Sequence, residues 1–224
     1  MKQAPSQIIK QEFRTVFETQ FYNRFSVFQN IKNSDENQSH FGNLLAFDEE
    51  IISPKQTINY TIDTKQTIII LPIVGKIDIK SSFFSGLIHT NQLQTFVEKT
   101  NNSFTISNPD PNSNVQLLQL RFKNIEAESS TVSLDPISRN QIKTLLKNDQ
   151  FLISIGIFDP RKEAKYKLQN PTNGVFAFVL NGALEFQNRL LENRDGLKIW
   201  GEETIEMEAL ANQTIVLITE VSFS

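Results

Sequence analysis

The chain has 224 residues, no cysteine and a formal net charge of -3, with both signs scattered along it. That excludes a disulfide framework, a thiolate metal site, a cysteine nucleophile and the basic block that marks nucleic-acid binding. Its longest apolar run, residues 68–74, is far short of the roughly 20 residues a membrane-spanning helix needs, and no apolar signal region opens the chain. A soluble protein of the cytoplasm, with no membrane or nucleic-acid partner, is expected.

Phe13, Phe17, Phe21, Phe25 and Phe28 recur at helical spacing. Phe, Tyr, Val and Thr dominate this stretch, however, and favour two short strands, over residues 7–11 and 24–28. Residues 33–39 are a polar loop. Strands are expected over 43–47, 57–62, 67–74 and 76–80, with Gly75 supplying the tight turn between the last two. Further strands follow over 93–97, 103–107 and 115–122, the last two separated by the turn signal Asn108-Pro109-Asp110-Pro111-Asn112.

Composition then shifts. Residues 124–131 are polar and acidic, and Asp135-Pro136 is suited to open a helix carrying Ile142, Leu145 and Leu146 at positions i, i+3 and i+4. Beyond it, strands are expected over 151–158, 164–168, 175–180, 183–187, 197–200, 204–208 and 214–221. Asn181-Gly182 and Asp195-Gly196 are the turn dipeptides among them. Short, evenly spaced strands point to a sandwich, barrel or jelly roll.

The run around Gly75 is repeated around Gly182, 107 residues later: an apolar stretch, a glycine, then an alternating stretch. This predicts two copies of one β-domain.

Several segments resemble the pirin-like bicupins. Asp195-Gly196-Leu197-Lys198-Ile199-Trp200-Gly201-Glu202-Glu203 is similar to the run after that family's second hairpin. Arg24-Phe25-Ser26-Val27-Phe28, Phe41-Gly42-Asn43-Leu44 and Asn108-Pro109 resemble its N-terminal strand, its Phe-Gly-x-Leu segment and its Asn-Pro turn. The resemblance implies an all-β protein of two tandem cupin domains, residues 1–133 and 151–224, joined by a linker with a short helix over 134–150.

Pirin-like proteins hold one metal, usually iron, in the N-terminal barrel, through a His-x-His…Glu motif before the glycine and a His-x-Glu motif before the Asn-Pro turn. Counted back from Gly75, the first motif falls on Thr61, Asp63 and Thr67, and the second falls on Phe104 and Ile106. Imidazole nitrogen and carboxylate oxygen bind iron, whereas Phe and Ile cannot. Before Gly182 the matching places are Leu168, Asn170 and Gly174. No metal or other cofactor is therefore expected. Asp63, Thr67 and Phe104 are the candidates for a residual pocket at the mouth of the barrel.

Other candidates are weaker. His40 and His89 are the two histidines, about fifty residues apart, and read as loop residues. Asp48-Glu49-Glu50 reads as a solvated turn, and Trp200 as packing. The sequence leans toward a non-catalytic protein, a monomer or weak dimer, that binds a small apolar molecule or a protein partner. The alternatives are a quercetin-dioxygenase-like oxidoreductase with non-standard ligands, and a metal-free hydrolase or isomerase with Asp63 as general base.

Overall fold

In a computed structural model the protein is described over residues 4–28, 40–123, 125 and 127–223. The loop expected over 33–39 lies outside these. The described residues form 21 strands and one short 3-10 turn, Gln11–Phe13, and no helix long and apolar enough to cross a membrane occurs among them. The strands, in chain order, are β1 Ser6–Ile9, β2 Thr15–Glu18, β3 Tyr22–Ser26, β4 Leu44–Ile52, β5 Thr57–Ile62, β6 Gln66–Val74 and β7 Lys76–Lys80. Then come β8 Ser85–His89, β9 Gln92–Glu98, β10 Asn102–Ser107, β11 Val115–Lys123, β12 Ser130–Ser133, β13 Gln141–Lys147 and β14 Phe151–Phe158. The last are β15 Glu163–Lys167, β16 Gly174–Asn181, β17 Leu184–Phe186, β18 Leu190–Leu191, β19 Gly196–Trp200, β20 Thr204–Ala209 and β21 Thr214–Val221.

They divide into two compact units, Thr15–Asp135 and Met1–Arg14 with Pro136–Ser224, called here the N-terminal and C-terminal barrels. In the N-terminal barrel a seven-stranded sheet, β12-β9-β6-β11-β4-β3-β2, and a four-stranded sheet, β5-β10-β7-β8, enclose one apolar core. In the C-terminal barrel the sheets are β1-β19-β16-β21-β14-β13 and β15-β20-β17-β18, around a second core. The two topologies correspond strand for strand, apart from the extra edge strand β2. The sequence repeat is thus a structural repeat: two cupin jelly rolls.

The repeated glycines sit at equivalent hairpins. Gly75 has φ +77° and Gly182 φ +83°, the left-handed region that side chains avoid. Each preceding strand is irregular at the same point. β6 skips one residue opposite Gln116/Leu117, and β16 skips one between Val179 and Asn181. These bulges shift the inward/outward alternation by one.

Three expectations are corrected. The helix over 134–150 is absent: residues 141–147 form β13, paired antiparallel with β14 and irregular between Thr144 and Leu146. A bulge adds an odd step to a period-two pattern, so Ile142, Leu145 and Leu146 imitate helical spacing. Residues 4–14 do not belong with the first domain, because β1 pairs with β19 (Ser6 opposite Ile199, Ile9 opposite Gly196). Asp195 fixes this strand's end, accepting from Lys10 Nζ at 2.6 Å and from Gln11 N at 3.0 Å. At Asp195-Gly196 the left-handed residue is Arg194 (φ 66°) rather than the glycine. Gly196 is instead where a Cβ would stand 2.9 Å from the Phe176 ring. The phenylalanine series from Phe13 to Phe28 lies on strands and turns, as the strand reading expects.

Alanine at Gly182 would place its Cβ 2.9 Å from Thr214 Oγ1 and 3.1 Å from Thr214 Cα. Gly182→Ala should therefore cost about 1–3 kcal/mol in urea unfolding, from backbone strain with steric conflict. Gly75→Ala, which meets only the Val115 side chain at 2.8 Å, should cost less.

Candidate functional site

Strand β5 alternates sharply. Tyr60 and Ile62 are buried, Ile58 packs partly buried against the same core, and Thr57, Asn59 and Thr61 are exposed. Its partner β10 turns Phe104 and Ile106 inward, with Phe104 opposite Tyr60 and Ile106 opposite Ile58. The Tyr60 and Phe104 rings stack at 4.7 Å with 9° between planes, and Phe96 meets Phe104 edge-on at 5.2 Å. Ile62, Ile68, Ile70, Ile77, Ile79 and Ile88 close around them.

Of the sequence-derived positions, the structure brings Phe104 and Ile106 into this interior and leaves the others out. Thr61 and Asp63 are exposed. Thr67 is buried, but its Oγ1 donates to the Ile125 carbonyl at 2.7 Å, while its neighbours Ile68 and Ile70 are the β6 residues in the core. The residual pocket of Asp63, Thr67 and Phe104 is therefore not assembled, and Asp63 has no apolar mouth in which to act as a base. Counting from Gly75 crosses the β6 bulge and the β5–β6 turn, so it does not preserve which face a residue takes. The His-x-His spacing needs two inward residues, and on β5 those are Tyr60 and Ile62.

The acidic run Asp48-Glu49-Glu50 is not a solvated turn. It lies within β4, and all three side chains are buried. Glu49 accepts from Gln116 Nε2 at 2.6 Å. Asp48 and Glu50 share the face of Ile52, whose side chain belongs to the core. Asp48 pairs with Arg121 Nη2 at 3.4 Å. Glu50 accepts from the Tyr60 hydroxyl and, at 3.4 Å, from Gln119 Nε2. Burial, then the charge of Asp48, pushes the Glu50 carboxyl up to about 7 against the opposing effects of Tyr60, Arg121 and Arg24. Burial followed by Glu50's charge likewise raises the Tyr22 and Tyr60 phenols well above their ordinary value. The interior thus has an apolar region and a polar one, joined by Tyr60. An acidic run flanked by apolar residues on both sides was the available signal for buried acids.

The C-terminal barrel has a related device. Tyr166 stands on β15 where Tyr60 stands on β5, and its hydroxyl donates to Glu220 at 2.8 Å. Glu220 also accepts from Gln169 N at 2.9 Å and Asn173 Nδ2 at 2.7 Å, tying the loop after β15 to the barrel. Leu168 is buried, Asn170 is exposed and Gly174 begins β16, so the matching places of this barrel make no ligand cluster either.

The donor set of the N-terminal interior does not fit a redox metal. Tyr60, Ile62, Phe104 and Ile106 offer one phenol, already bonded to Glu50, and no imidazole. No group of three His, Cys, Asp or Glu suited to a metal ion occurs among the described residues. His40 and His89 are both exposed, His89 at the end of β8. Trp200, read from the sequence as packing, is exposed at the end of β19.

With this geometry in view, the chain can be set beside known proteins. A family described as the quercetinase C-terminal cupin domain matches residues 138–221. No curated protein matches by sequence. Among solved structures, YhhW from Escherichia coli is similar at a TM-score of 0.83 and 16% identity, covering 97% of each chain. The bacterial pirin YhhW in complex with nickel(II), from the same organism, is similar at 0.82 and 15%, over 97% of this chain and 99% of that one. Quercetin 2,3-dioxygenase from Acinetobacter baumannii is similar at 0.72 and 15%, over 98% of this chain and 80% of that one.

If the stack fills the barrel, Phe104→Ala should destabilise the protein by about 3–5 kcal/mol in denaturant unfolding, because it removes a fully buried ring and leaves a cavity. Thr61→Ala and Asp63→Asn, on the exposed face, should change stability by less than about 0.5 kcal/mol.

Proposed function

We propose that this pirin-like bicupin works without a redox metal, as a non-catalytic binding or regulatory protein of the cytoplasm. One observation carries the reading: the Tyr60–Phe104 stack, 4.7 Å between ring centroids, occupies the interior where the two ligand motifs would converge. Filled by rings and branched aliphatic side chains, this interior leaves recognition to the surface. A protein partner is therefore the better-supported ligand, and a small apolar molecule inside the first barrel is the less supported one.

The competing reading is oxygenation of a flavonol such as quercetin, as the name of the Acinetobacter baumannii relative states for that protein. It needs a metal held by residues other than Tyr60, Ile62, Phe104 and Ile106.

The test is elemental analysis of protein purified without chelator, followed by oxygen-uptake assays with quercetin, with and without added iron or nickel. Well below one metal ion per chain and no quercetin consumption are expected. A stoichiometric metal, or turnover lost in His89→Ala, would overturn the reading. Affinity capture on the native chain should recover a protein partner that persists after metal stripping.

A further inference from the structure

We propose that the N-terminal barrel is a proton-responsive element: Glu50 takes up a proton from solution and thereby rearranges its hydrogen bonding with Tyr60 and with the neighbouring Tyr22 hydroxyl. This goes beyond the metal-free reading and does not depend on any partner.

The argument starts from placement. Glu50 is fully buried on β4, where the core turns from apolar to polar. Every neighbouring strand presents a polar group toward it. Asp48 lies two residues before it on the same face, and Tyr22 and Arg24 stand on β3, where Arg24 is directly opposite Glu50. Gln119 and Arg121 face it from β11, and Tyr60 from β5. With both carboxylates ionised the group is formally neutral, two acids against two guanidiniums. Contacts are distributed unevenly, however. Arg121 sits on Asp48, whereas the donors bonded to Glu50, Tyr60 and Gln119, are uncharged. A fully buried carboxylate held by neutral donors beside a second carboxylate is costly.

Protonation relieves that cost and changes the chemistry. An ionised carboxylate only accepts hydrogen bonds, whereas a carboxylic acid also donates one. The Tyr22 hydroxyl is buried beside Tyr60 and feels the charge of Glu50, but it makes no hydrogen bond to that carboxylate. It is the group poised to answer a new donor. Tyr60 transmits the change to the core, because its ring is stacked on Phe104.

The direction of the pH effect follows. Glu50 titrates at about 7 in the folded chain against an ordinary 4.5, so the folded state binds this proton more tightly than the unfolded one. Its stabilising contribution is complete below about 4.5 and is lost as pH rises through about 7. The folded-to-unfolded ratio should fall roughly a hundredfold between pH 5 and pH 8 from this group alone.

The test uses the fact that the chain has three tyrosines, Tyr22, Tyr60 and Tyr166, two of them in this group. In full-length protein labelled at the tyrosine ζ carbon, the Tyr22 and Tyr60 NMR signals should move together between pH 5 and 9, with one midpoint near 7. Glu50→Gln should abolish that transition. Tyr60→Phe, which removes a donor to the carboxylate, should move the midpoint of the Tyr22 signal upward. Flat Tyr22 and Tyr60 signals in folded wild-type protein, or a transition that persists in Glu50→Gln, would overturn the proposal. Should Glu50→Gln fail to fold, the wild-type titration and the Tyr60→Phe shift decide it.

Discussion

A barrel made of two short sheets has a single interior, and in the N-terminal barrel Tyr60 and Phe104 compete with any ligand for that space. Phe104 and Ile106 are fully buried there, on the strand where the resemblance places a His-x-Glu pair. Interiors are packed as densely as organic crystals, so the same volume cannot serve as core and as a wet metal cradle. Filled by rings, the interior contributes stability directly. The polar region survives beside the stack, held by Tyr60, Glu50, Gln119, Asp48 and Arg121.

The two barrels solve the same problem from different strands. Each places a tyrosine at the same point of its smaller sheet, Tyr60 or Tyr166, and each aims it at a buried glutamate. In the N-terminal barrel the glutamate comes from β4, and in the C-terminal barrel from β21. Glu220 receives backbone N–H groups as well as side-chain donors, so its carboxylate is well supplied. Glu50 lacks that supply and sits near Asp48, which is why burial acts on it so strongly. Equivalent frames therefore hold carboxylates in unlike electrostatic surroundings.

Edges are where the two halves diverge and where the chain was hardest to read. β1 covers the outer side of β19 in the C-terminal barrel, as β12 covers β9 in the other, though one comes from the chain's start and the other follows β11. The strands missing from the sequence reading, β2, β8, β12 and β18, all lie at sheet ends. An edge strand buries little, and its side chains need not alternate clearly. β13, also an edge, was disguised as a helix by its bulge. Central strands such as β7, β11 and β14 buried enough apolar surface to be legible to within a residue.

The sequence by itself determined the class of fold, the two-fold repeat and the hairpin glycines, because these rest on local alternation, on turn chemistry and on a positive φ that Gly75 and Gly182 can adopt. It also showed that Phe104 and Ile106, where the resemblance implies a ligand pair, carry no donor atom. Only the tertiary structure decided which residues face inward. Register passes through the bulges of β6, β13 and β16, each of which inverts the alternation on which counting depends. For that reason Asp63 and Thr61 moved to the surface and Tyr60 and Ile62 into the core. The acids Asp48 and Glu50, which look solvated in one dimension, became the buried polar region of the barrel.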